Sequence, residues 1–291
     1  MDRAFVIRKL GTIQNIPTLP KIIFELEKIL RDPNKGTNAA AALIQDDPAM
    51  MFRILKVVNS AYYGLPNHID NIRQAVMLLG FEAVKRLALT TAVFSTFRMQ
   101  EGRRDFDREA FWRHSISTSV AMQALHETIL PRLKPSLITA EALHLTGLTH
   151  DIGKIVYEQH FHSDFMEAIQ LAENRNIPLC QAEAEVMGID HAELGAWLGR
   201  KWNLPEQIVT AIRWHHAPAK ANPLHHDIAH ICHIANYICN QEHLGFSGSP
   251  VPAFSHSFFL ANCGLKLENI LALVDTIKER AKKSEAFLAL T

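Results

Sequence analysis

Cysteine is scarce in this 291-residue sequence: Cys180, Cys232, Cys239 and Cys263 are the only four, and no CxxC pair occurs. A chain this long can bury a core without covalent staples, so reduced thiols are expected and a disulfide scaffold is excluded. Excess charge is missing too. Thirty Lys+Arg face thirty Asp+Glu, which removes a basic tail from consideration. Long apolar runs are absent: the uncharged stretch from Leu244 to Leu265 holds three Gly, two Pro, four Ser and His256, and so reads as loop and short elements rather than a membrane span. Charges at positions 2, 3, 8 and 9 leave no apolar signal core at the start. A cytoplasmic protein without a membrane partner is expected. No internal repeat or low-complexity tract is found, and no run alternates like a half-buried strand.

What is present is helical periodicity and histidine. With 48% apolar and 21% charged residues the composition is globular. Ile22, Ile23, Leu26, Ile29 and Leu30 mark one helical stripe, opened by Pro20 after Thr18, and Ile54, Leu55, Val57 and Val58 belong to a second, opened by Asp47-Pro48 as cap and first helical residue. Gly64-Leu65-Pro66 interrupts the pattern, which resumes on either side of Gly80. Helices are expected near 109–130, 137–158, 164–174, 181–187, 191–202, 205–216 and 227–241, followed by a Gly/Ser/Pro connector over 243–256 and a closing helix with Leu267, Ile270, Leu271, Val274 and Ile277 on its apolar face. The fold class is all-α, with a joint near 100–108. Residues 1–100 carry a net charge of +5 and the remainder −5, which fits two modules.

Fourteen of the sixteen histidines lie between His114 and His243. Five features there belong together: Trp112-Arg113-His114, His150-Asp151-Ile152-Gly153-Lys154, Asp190-His191, His215-His216 and the helix bearing Asn236. Neutral imidazoles and a carboxylate are the donors that hold divalent transition metals, and helices present them rigidly toward a bundle centre. Neighbours on a helix point about 100° apart, so His150 and Asp151 can approach an ion from two sides while the second carboxylate oxygen serves another. Lys154, three and four residues further on, shares their face and is a candidate to hold a substrate phosphate. Gly153 would admit a close approach to the backbone. Simpler roles exist for some of these residues. Asp190 with Glu193 resembles a capping box, and His215-His216 suit a helix C-terminus before Ala217-Pro218. His225, His226, His230 and His233 read as surface or secondary residues, and His160 and His162 as lying past a helix end. Cys232, Cys239 and the Met50-Met51-Phe52 cluster read as core.

The first hundred residues resemble the opening half of an HDOD domain, the HD-related output domain of bacterial signalling proteins. The resemblance rests on Ile16-Pro17-Thr18-Leu19-Pro20, Asp46-Asp47-Pro48, Val58-Asn59-Ser60-Ala61-Tyr62-Tyr63-Gly64 and Ala75-Val76-Met77-Leu78-Leu79-Gly80. Phe111-Trp112-Arg113-His114 and Gly147-Leu148-Thr149-His150-Asp151-Ile152-Gly153-Lys154 are similar to its second, HD-type half and to HD and HD-GYP metal-dependent phosphohydrolases. Coverage is roughly residues 10–245. The resemblance implies a multi-helix fold with an N-terminal helical half over 1–104, an HD-like metal-site half over 105–245, and a connector and C-terminal helix over 246–291. His114, His150 and Asp151 match the first ligands of the HD pattern, and His191 and His215-His216 match those added in two-metal relatives. Asn236 stands where the last Asp is expected. Ala110 replaces the Glu that a third metal would use, and the Tyr-Pro loop of HD-GYP proteins is missing.

One or two divalent ions, from among Fe, Mn, Zn and Ni, are thus implied. Two ions would meet a single ligand carboxylate, Asp151, so either Asn236 offers its amide oxygen or the ion beside His114 binds poorly. The expected function is a bacterial signal-transduction output protein acting on a protein partner, with a phosphorylated small ligand as a further candidate. The alternative is an active nucleotide or cyclic-nucleotide phosphohydrolase in which Asp151 and Lys154 are catalytic. Nucleic-acid binding ranks last, since the N-terminal charge is modest and contains no Lys/Arg run.

Overall fold

The computed structural model describes residues 2–12, 25, 37–60, 63–97, 105–129, 138–249, 257–263, 265–284 and 288. Every regular element among them is helical, as the periodicity requires. In chain order these are α1 (Arg3–Thr12), α2 (Thr37–Gln45), α3 (Pro48–Val58), α4 (Ile72–Leu79), α5 (Phe81–Thr96), α6 (Arg108–Ile129), α7 (Ala140–Thr149), α8 (Ile152–His160), α9 (His162–Arg175), α10 (Leu179–Met187), α11 (His191–Lys201), α12 (Glu206–Trp214), a 3-10 turn (Pro218–Lys220), α13 (His226–Gln241), α14 (Ser257–Asn262), α15 (Leu267–Leu271) and α16 (Val274–Ser284). The Ile16–Pro20 motif, the Ile22–Leu30 stripe, Ala61-Tyr62, most of the 100–108 joint and residues 250–256 of the connector lie outside the described residues. No helix among the described residues is long and apolar enough to cross a membrane.

Two compact units are distinguished, one of residues 17–99 and 283–291, the other of residues 1–16 and 100–282. In the first, Asp47 caps α3 by accepting from the Met50 amide at 3.0 Å, with Pro48 in the first helical position, as the sequence predicts. Met50, Ile54, Val57 and Val58 are buried, but Phe52 is 70% exposed and does not join the core. Two residues advance a helix by about 200°, which carries Phe52 to the face opposite Met50. Asn59 ties down the segment that follows, its Oδ1 accepting from the Ile69 amide and its Nδ2 donating to the Ile69 carbonyl, both at 2.7 Å. Gly80, at φ +79°, makes the left-handed step between α4 and α5.

In the second unit α6 packs against both α7 and α13, and α11 against α8 and α12. Helix α1, which the sequence places with the N-terminal half, groups with this unit. Arg3 bonds Glu193 at 2.8 Å, and the Lys9 ammonium lies 4.4 Å from the Phe161 ring centroid. Two expected helices are each broken in two. The segment 137–158 divides at His150-Asp151 into α7 and α8, so these two residues sit at a junction and not within one helix. The closing helix divides after Leu271, which is 46% exposed, while Ile270 and Ile277 are buried.

Candidate metal centre

Helix ends supply the site. The last carbonyls of an α-helix lack intrahelical partners, and here two of them hold imidazoles. His150 follows α7 and its Nδ1 donates to the Gly147 carbonyl at 2.8 Å; His215 follows α12 and its Nδ1 donates to the Ile212 carbonyl, also at 2.8 Å. Each ring is thereby fixed in the tautomer that leaves a lone pair on Nε2. Both Nε2 atoms are buried without a hydrogen bond among the described residues, and each stands 3.4 Å from an oxygen of Asp151. The C-terminal capping role suggested for His215 is therefore real for one nitrogen, while the other faces the cluster. Orientation of an imidazole through its second nitrogen is the usual arrangement behind metal-binding histidines.

His191 opens α11, capped by Asp190, whose carboxylate accepts from the Glu193 amide at 2.6 Å. Its Nδ1 lies 2.5 Å from Glu183 Oε2, and Glu183 also accepts from the His191 amide at 2.8 Å. The opposite nitrogen, Nε2, lies 3.1 Å from Asp151 Oδ1 and 2.9 Å from His216 Nε2. Burial alone would depress the His191 pKa, but Glu183, with help from Asp151, raises it to about 9. The other rings go the opposite way. Burial lowers His215 to about 4 and His114 to about 3, and lowers His216 well below its usual value, assisted by His215 and His191. These three are neutral donors near pH 7, the form that binds metal.

Asp151 is fully buried at the middle of the group. Burial by itself would raise its carboxyl, yet His150, Lys154 and His191 hold it well below the normal range. Its two oxygens face different partners. Asp151, His191, His215 and His216 offer one set of donor atoms, and His114, His150 and Asp151 another, each within a spread of 4.8 Å that an ion could bridge. His216 is the half-buried member; the others are buried. Asn236 is also brought to the site, with its Oδ1 3.0 Å from His114 Nε2.

Lys154 lies one turn beyond Asp151 as expected but does not point outward. The residue is 1% exposed, and Nζ donates to Asp151 Oδ2 at 2.7 Å and to Ser247 Oγ at 3.1 Å. Gly153 does admit a backbone, that of its own neighbour helix: a Cβ there would fall 2.1 Å from the His191 carbonyl oxygen. Several other histidines find local uses. His144 pairs with Ser119 at 2.7 Å, His162 with Asp105 at 2.7 Å and His226 with Asp227 at 2.7 Å. His233 is buried rather than superficial, donating from Nδ1 to the His215 carbonyl at 2.6 Å and so bracing the chain that carries two candidate ligands.

Three contributors escape sequence reasoning. Glu183 sits eight residues before His191 in an alanine-rich helix, and only the question of what orients the His191 Nδ1 would have found it. Ser247 and Asn240 give no pattern at all. Replacing Glu183 with Gln, which keeps the shape and removes the charge, is expected to weaken divalent-metal affinity by roughly 10- to 100-fold. Competition with a chelating dye measures this.

Residues 16–218 match the HDOD domain. An uncharacterized protein of Treponema pallidum (strain Nichols) is 27% identical over 216 residues, which are 73% of this chain, and the chain spans 40% of that protein's length. An HDOD domain protein of unknown function from Geobacter sulfurreducens superposes with a TM-score of 0.80 at 23% identity, over 98% of this chain and 97% of that one. A Shewanella amazonensis SB2B protein provisionally named a phosphohydrolase gives 0.71 at 23% identity, over 97% and 98%. At such identities the structural likeness is one of fold.

Proposed function

The chain belongs to the HDOD domain family, and from that premise we propose that it is a signal-transduction output module that holds divalent metal and presents its metal-loaded state to a protein partner. One observation carries the metal. His150 and His215, each tethered through Nδ1 to a carbonyl of the preceding helix, turn buried Nε2 atoms, without a hydrogen bond among the described residues, toward a single carboxylate. Leaving two such lone pairs unpaired in a core costs free energy, and a bound cation offsets it. His191, His216 and Asp151 complete the donor set.

The regulatory role is favoured over turnover by what surrounds the donors. Asn236 supplies no charge, the Lys154 ammonium is bonded to Asp151, and five of the six candidate His/Asp ligands are buried. A phosphate could reach Lys154 only after that ion pair opened. Hydrolysis of a phosphodiester is the second reading, supported by the half-exposed edge at His216; a bound divalent ion would supply Lewis acidity and an acidified water. Elemental analysis of protein purified without chelator, joined to a panel of nucleotide phosphodiesters, tests both. Bound metal without turnover is expected. Turnover that His150→Ala abolishes would establish the second reading, and absence of metal would defeat both.

A further inference from the structure

Building on that metal-holding reading, we infer that the centre takes a single divalent ion on the Asp151 Oδ1 side, and that the Lys154 ammonium is a resident cation in place of a second. The two carboxylate oxygens are treated differently. Around Oδ1 stand His191 Nε2 at 3.1 Å and His215 Nε2 at 3.4 Å, with His216 Nε2 2.9 Å from that of His191. Around Oδ2 stand His150 Nε2 at 3.4 Å, His114 Nε2 at 3.8 Å and, closest, Lys154 Nζ at 2.7 Å. Any ion shared by His114, His150 and Oδ2 would lie beside a buried ammonium, and like charges at such separation in a poorly solvated interior repel strongly.

His114 is also unprepared as a ligand. Asn236 Oδ1 accepts from Asn240 Nδ2 at 2.7 Å and from His114 Nε2 at 3.0 Å, which uses both of its lone pairs. The His114 proton therefore sits on Nε2, the nitrogen an ion would need, and has no hydrogen-bonded Nδ1 among the described residues to move to. His191 Nε2, 2.9 Å from His216 Nε2, also shares a proton, but an ion can displace it while the Nδ1 proton stays on Glu183. Nδ1 of His114 is buried without a partner among the described residues, whereas Nδ1 of His150, His191 and His215 is held by a carbonyl or a carboxylate. Charge agrees. One ion together with Lys154 exceeds the Asp151 and Glu183 carboxylates by a single formal charge, and a second ion would make the excess three. Ser247, two residues after Gly245 at φ +82°, accepts from the same ammonium at 3.1 Å.

Loading full-length protein with Mn2+ and reading stoichiometry by equilibrium dialysis, with electron paramagnetic resonance to separate isolated from exchange-coupled ions, tests the inference. Wild type should saturate at one ion with an isolated-ion spectrum. The Lys154→Met, Asn236→Asp double variant should take two and show coupling. Asn236→Asp alone, which is isosteric, should stay at one because Lys154 still occupies Oδ2. Two ions in wild type or in Asn236→Asp would overturn the assignment, as would a folded double variant that remains at one. No Mn2+ in wild type would instead defeat the metal-holding reading on which the inference rests.

Discussion

Asp151→Asn is expected to strip the protein of divalent metal and to destabilise the metal-free chain by about 3–5 kcal/mol, the range typical of removing one partner from a buried ion pair. The amide keeps the side chain's volume, so packing is not the cause. The metal is lost because Asp151 is the residue common to both sets of candidate donors. Stability falls because the ammonium of Lys154, 1% exposed, is left with neutral acceptors alone, Ser247 Oγ and the new amide oxygen, once the carboxylate charge is gone. The two losses have separate origins and can be separated. Adding Lys154→Met to Asp151→Asn should recover most of the stability, to within roughly 1–2 kcal/mol of wild type, without restoring the metal. Urea unfolding of chelator-treated protein reads the first quantity and elemental analysis the second. An Asp151→Asn protein as stable as wild type would show that Lys154 does not depend on this carboxylate.

The sequence made the helices legible because their apolar periodicity and punctuation are local properties. Asp47-Pro48 and Gly80 mark where helices start and stop through cap chemistry and through a backbone angle that glycine tolerates. Periodicity failed where a helix had to end without glycine or proline. Nothing local distinguishes His150-Asp151 from helix interior, since the break there is defended by the His150 imidazole on the Gly147 carbonyl and by tertiary neighbours. Phe52 was misread for a related reason: adjacency in sequence is not adjacency on a helix face.

The site divides along the same line. Residue types and spacing name the candidate donors, and the fold brings His114, His150, Asp151, His191, His215, His216 and Asn236 to one place. What the donors lean on is only partly legible: the Ile212 carbonyl answers the C-terminal capping expected of His215, whereas Glu183 and Asn240 lie near in the chain without a pattern that marks them, and Ser247 meets Lys154 only through the fold. Lys154 is the instructive case. Its position one turn past Asp151 was readable, but an ammonium there can face outward to a phosphate or inward to the carboxylate, and only packing decides between the two.

Gly153→Ala should be among the most damaging single-methyl changes in the protein, costing about 3 kcal/mol or more where added core methyls typically cost about 1–3. The new Cβ would lie 2.1 Å from the His191 carbonyl oxygen and 2.9 Å from the Gly195 amide nitrogen. Both are backbone atoms in α11, so no side-chain rotation relieves the collision and the two helices must separate. That separation acts on the site directly. Helix α8 begins next to Asp151 and α11 begins at His191, and the distance between them sets the 3.1 Å approach of His191 Nε2 to Asp151 Oδ1. A shift on the order of 1 Å exceeds the tolerance of about 0.5 Å within which binding constellations hold their geometry, so Mn2+ affinity should fall at least about tenfold alongside the loss of stability. Gly11→Ala is the control: its Cβ meets nothing within 4 Å, and alanine favours the helix by up to about 1 kcal/mol. Thermal unfolding and Mn2+ dialysis of the two variants, run side by side, should move in opposite directions for stability and differ for the metal. Equal behaviour would mean that the α8–α11 contact does not position Asp151 against His191.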